Sequence, residues 1–199
     1  LSVFPAAWTL EAAEHVCGGD GVDARDVLDL LSRLVSKSLV VVDDGLAVER
    51  RYRFLETVRQ YARERLVQAG AADRLRERHF EFFFNQFRGV LPVLRHHDQL
   101  PWLRRLLLEQ ENVRAALEWA LPSPTLAEKG VELAGALFWF WTKRGLYGEG
   151  QRWLDQALAD GTYKKYGLDV TIQQGGPQVN NRPLLPAGRI DFLMTGNLL

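Results

Sequence analysis

VLDLLSRLVSKSLVVVDDG, residues 27–45, decides how the first third of this chain folds. In its first half, Val27, Leu28, Leu30, Leu31, Leu34 and Val35 recur at the spacing of one buried helix face. Asp23 stands just ahead of the run, where its carboxylate can accept from the free amides of a first turn. Ser38 ends the pattern. Leu39–Val42 then changes period: successive β-branched residues closed by Asp43-Asp44-Gly45 read as a strand and a turn. Tyr52–Leu55 supplies the return strand of a hairpin.

Upstream, Thr9 can cap a helix from Leu10 to about Cys17, with Glu11 and Glu14 near its positive end. Gly18, Gly19 and Gly21 break it. Downstream, Thr57 and Gln60 have capping-box spacing, Val58, Tyr61, Ala62 and Leu66 form an inward face, and Gly70 ends the helix. Helix, helix, hairpin and helix outline a winged helix over residues 1–70.

Residues 71–160 read as helices only. The first runs from about Asp73 to Arg88 and carries Phe80, Phe83, Phe84 and Phe87; the second, about Leu100–Leu121, stops before Pro122 and Pro124. The others span about Leu126–Arg144 and Tyr147–Leu158. Leu117, Glu118, Ala120 and Leu121 are echoed 37 residues later by Leu154, Asp155, Ala157 and Leu158, close to a tetratricopeptide period. An array of such hairpins that stopped at Leu158 would leave an apolar face open.

The sequence changes character at Ala159–Val170. Leu168, Val170 and Ile172 alternate with polar residues as in a half-buried strand, Gly175-Gly176-Pro177 turns the chain, and Ile190–Met194 suits a second strand. Residues 161–199 therefore read as a short, incomplete α/β segment, joined at a seam between Leu158 and Tyr163. The expected fold class is mainly α: winged helix, then tetratricopeptide-like hairpins, then this segment.

Lys+Arg and Asp+Glu both number 25, so no global charge draws the 199-residue chain toward nucleic acid or membrane. Cys17, the one cysteine, excludes an internal disulfide and suits a reducing, cytoplasmic setting. No apolar run is long enough to span a bilayer; Leu133–Trp141 reads as a buried helix. The start at Leu1, without a basic leader, suggests a chain cut from something longer.

Arg50, Arg51, Arg53, Arg59, Arg63 and Arg65 are opposed between positions 50 and 65 only by Glu56 and Glu64. They read either as contacts to phosphate, in DNA or in a nucleotide, or as a solvated face of Arg–Glu pairs. Asp26, Asp29, Asp43 and Asp44 weaken a DNA-reading surface. His96-His97-Asp98 reads as a polar loop rather than a metal site, and no metal or other cofactor is expected. His15, His79 and Cys17 read as structural. The aromatic runs Phe80–Phe87 and Leu137–Trp141 suit either a ligand pocket or, preferably, helix packing. No catalytic constellation occurs, so no enzyme is expected.

Three stretches carry a family likeness: Leu1-Ser-Val-Phe-Pro-Ala-Ala-Trp-Thr-Leu-Glu-Ala-Ala-Glu, Leu30-Leu-Ser-Arg-Leu-Val-Ser-Lys-Ser-Leu-Val and Tyr52-Arg-Phe-Leu-Glu-Thr-Val-Arg-Gln-Tyr-Ala-Arg-Glu-Arg-Leu. Glu111–Ala120 and Gly150–Leu158 continue it. Residues 1–159 thereby resemble large bacterial signal-transduction ATPases that act as transcriptional regulators. The resemblance implies a nucleotide-binding domain ahead of the winged helix and helical repeats that sense a partner. No phosphate-binding Gly-x-x-x-x-Gly-Lys-Ser/Thr loop is present, so ATP is not an expected ligand. The implied role is a non-catalytic regulatory fragment. Arg50, Arg51, Arg53 and Arg59 would then meet phosphate or the missing domain, in preference to DNA.

Tyr163–Ile172 and Leu185–Asn197 resemble a different group, the solute-binding proteins of ABC transporters related to thiamine-pyrimidine synthesis and sulfonate uptake. That likeness implies a small-molecule site, with Gly175, Gly176, Thr195 and Asn197 at strand ends.

Overall fold

A computed structural model describes residues 1–19, 21–43, 49–95, 99–159, 161 and 169. The expected seam, the α/β segment and the loop at 96–98 lie outside the described residues, apart from Ala159, Gly161 and Asp169.

The fold is mainly helical with one small sheet. β1 (Trp8–Thr9) leads into α1 (Leu10–Cys17), then α2 (Ala24–Ser36), β2 (Val40–Asp43), β3 (Arg51–Phe54) and α3 (Glu56–Gln68). The caps expected for α1 and α2 form: Thr9 Oγ1 accepts from Ala12 N at 3.2 Å, and Asp23 Oδ1 accepts from Arg25 N at 2.9 Å. β3 is the central strand, antiparallel to both neighbours, with Trp8 opposite Tyr52 and Val40 opposite Phe54. Two helices, a hairpin and a following helix give the winged-helix outline.

The remaining helices are α4 (Ala72–Phe87), the one-turn α5 (Leu91–Leu94), α6 (Gln99–Ala120), α7 (Ala127–Lys143) and α8 (Tyr147–Ala159). α4 is the spine of the molecule. It buries Phe80, Phe82, Phe83, Phe84, Phe87 and His79, which is more than one face. A helix can do that only when several elements surround it; here α1, α6 and α7 do. The phenylalanines are therefore packing residues rather than the lining of an open pocket. One apolar core runs from Phe4 and Trp8 through α4 to Trp141 and Trp153, across the boundary read at residue 70. Phe4 stacks on Trp8 at 5.5 Å between ring centres and meets the edge of His79 at 4.9 Å.

Several local expectations are corrected. Leu28 and Leu30 of α2 are 46% and 41% exposed, because α2 is covered only along the Val27–Leu31 stripe, with Leu34 and Val35 half-buried. α3 buries no residue completely; Tyr61 is 58% exposed, and only Val58, Ala62 and Leu66 are half-buried. The helix lies at the edge of the fold. The Thr57–Gln60 capping box does not form either, since the helix starts two residues earlier than that box requires and its N-cap, Leu55, has no side-chain acceptor. Gly70 does end α3 as expected, at φ 65°, where a side chain would be strained.

His79 is 3% exposed, and burial holds its pKa down at about 3. The unfolded chain takes up this proton near pH 6.5, whereas the folded chain stays neutral. Stability from this group is thus complete at neutral pH and is lost as pH falls from about 6.5 toward 3, at roughly 1.4 kcal/mol per pH unit. Urea midpoints measured from pH 7 to 4 are expected to fall less steeply in His79→Leu than in the unaltered chain.

Candidate nucleic-acid interface

α2 immediately precedes the β2–β3 hairpin, the place of the recognition helix in a winged helix-turn-helix. Val27 and Leu31 hold it on the core, which turns Arg25, Asp26, Asp29, Ser32, Arg33, Ser36 and Lys37 outward. Asp23 chelates the Arg25 guanidinium at 2.7 and 3.1 Å, which lowers the pKa of Asp23 and raises that of Arg25. The hydroxyls of Ser32 and Ser36 donate back to the carbonyls of Leu28 and Arg33. Arg33 and Lys37 are the cations at the far end of this face.

The four arginines expected to meet phosphate are used in three ways. Arg50 is exposed just ahead of the returning strand, and Arg53 is exposed within it. Arg59 is half-buried and forks onto Glu56 one turn earlier, at 2.7 Å. Arg51 is the correction: it is 6% exposed and its guanidinium is engaged internally. Its Nη1 donates to Glu109 Oε1 of α6 at 2.6 Å, and its Nη2 donates to the Ala7 carbonyl at 2.7 Å. Asn112, fully buried, donates to Glu109 Oε2 at 2.7 Å and to the Ala7 carbonyl at 2.9 Å. Sequence reasoning grouped Arg51 with its neighbours because nothing local marks Glu109 as its partner, 58 residues away.

Gly175, Gly176, Thr195 and Asn197 lie outside the described residues. Among the described residues there is no metal-ligating cluster, and no helix is long and apolar enough to cross a membrane.

Residues 1–67 match the winged helix-turn-helix domain family. The chain is also similar to proteins provisionally named HTH-type transcriptional regulators in Mycobacterium bovis and in two strains of Mycobacterium tuberculosis. Each is 33% identical over 173 residues, covering 87% of this chain but only 19% of the relative. The chain thus spans about a fifth of the length of these relatives. A match of 173 residues cannot fit within residues 1–161, so the likeness continues past the junction read near Tyr163. No solved structure matches the chain.

The Arg51–Glu109 pair yields a stability test. Removing one partner leaves the other charge buried and uncompensated, which costs about 3–5 kcal/mol. In urea unfolding, Arg51→Ala is expected to destabilise by that amount, and Arg51→Met combined with Glu109→Leu by much less.

Proposed function

We propose that this chain is the winged-helix and helical-hairpin portion of a transcriptional regulator, and that the winged helix engages duplex DNA. The observation that carries this reading is the placement of α2: anchored by Val27 and Leu31, it offers a polar outer face directly before the hairpin. Arg33 on α2 and Lys37 at its end would approach base edges and phosphates in the major groove, with Arg50 just ahead of the returning strand and Arg53 within it on the adjoining backbone. The contact is of modest charge, because Asp26 and Asp29 share the α2 face, so binding depends on shape as well as on counterion release. The tetratricopeptide-like hairpins α6, α7 and α8 would serve a partner protein, and no catalytic step is assigned to the chain.

A second reading has its own support. Leu28, Leu30, Leu39 and Leu55 are each more than a third exposed around α2 and the hairpin. Large exposed apolar side chains mark surfaces that another domain covers. In this reading the winged helix docks on a nucleotide-binding domain, as the family resemblance implies.

Fluorescence anisotropy with a mixed-sequence duplex separates the two. The DNA reading expects binding at about 50 mM salt that weakens steeply by about 200 mM. Arg53→Ala is expected to reduce the log–log salt slope by about 1. Absent binding at the lower salt would reject DNA contact and leave interdomain docking.

A further inference from the structure

A cleft of about 310 Å³ separates α3 from the helices beneath it. α3 contributes Arg59 and Arg63, α4 contributes Arg76, and α6 contributes Glu118 and Trp119. Its volume lies at the lower end of the range for small-ligand sites. Three guanidinium groups line a space this small, against one carboxylate.

The arrangement leaves cationic capacity unused. Arg59 and Arg76 pair with Glu56 and Asp73, but those carboxylates are 74% and 78% exposed, outside the cleft lining. Ion pairs so placed are worth little and do not bar a further anion. Glu118 reaches Arg152 only at 3.7 Å. Arg63 is exposed and makes no ion pair among the described residues. A planar guanidinium recognises carboxylate and phosphate oxygens through two parallel N–H donors.

Apart from Ser2 and the buried His79, the rest of the wall is largely apolar. Pro5 and Leu66 line it, and Trp119 carries the Arg76 guanidinium over its ring at 5.1 Å from the centre. Apolar wall and convergent cations together select a ligand with an apolar body and an acidic group. They do not select a bare ion.

We propose that this cleft is a binding site for a small organic anion, a carboxylate or phosphate monoester carried on a compact apolar or aromatic body. The acidic group sits between Arg63 and Arg76, and the body lies against Trp119 and Leu66. Because the walls come from α3 on one side and α4 and α6 on the other, the bound anion ties the last helix of the winged helix to the helical array. This assignment is independent of DNA binding.

The test is an NMR titration of the full chain, following backbone and Trp indole N–H resonances, with phenyl phosphate and phenylacetate as the anions. Phenylacetamide is the uncharged control and inorganic phosphate the bodiless one. Saturable shifts with at least one organic anion, centred on α3 and Trp119, are expected, with weaker or no binding of both controls. Arg63→Gln and Arg76→Gln should each weaken that binding roughly tenfold, the loss of one charged hydrogen bond. Arg65→Gln, on the same helix but outside the cleft lining, should leave it unchanged. No saturable shift up to about 10 mM anion at low salt would overturn the proposal. So would equal binding of phenylacetamide or inorganic phosphate, or insensitivity to Arg63→Gln.

Discussion

The buried cluster of Arg51, Glu109 and Asn112 is the interaction on which the architecture turns. An ion pair taken out of water is costly unless its remaining hydrogen-bonding capacity is used. Here Arg51 also meets the Ala7 carbonyl, and Glu109 also accepts from Asn112. Those bonds are directional. They fix β3, the central strand of the sheet, against α6 and against the segment leading into β1. Apolar packing along α4 makes the two parts adhere, since it is large and without direction. The polar cluster decides the register in which they adhere.

α3 is the exception to this rigidity. It follows β3 directly, yet it buries no side chain fully and rests on α4 through half-buried Val58, Ala62 and Leu66. Elements with little buried apolar surface open at low free energy. The winged helix therefore has a sheet fixed against α6 and a looser final helix, with an arginine-lined cleft beneath it. A ligand or partner acting on α3 would meet little resistance there.

The helices and the hairpin were legible because their signals are local. Periodic leucines, Thr9 and Asp23 at helix starts and Gly70 at a helix end act within one turn of their own position. Solvation was harder to read. The leucines of α2 repeat as if one face were covered, but coverage depends on how many neighbours arrive, and α2 packs chiefly on α1 and β2. β1 went unseen because two residues carry no alternation. Arg51 shows the same limit within the site: four arginines in a row of ten look alike in sequence, and a carboxylate on α6 draws one of them inside. The cleft below α3 is built from three helices and the N-terminal segment, so no single stretch announces it.

The central claim is that winged helix and helical array form one cooperative body, pinned at Arg51. Native-state hydrogen exchange under rising urea tests it directly. Slow amides of α1, β3, α4 and α6 should merge into a single unfolding transition with one free energy, while α3 exchanges through a lower-energy opening. If β3 and α1 instead opened together well below the free energy of α6, the two parts would be separate folding units, and the account would be wrong.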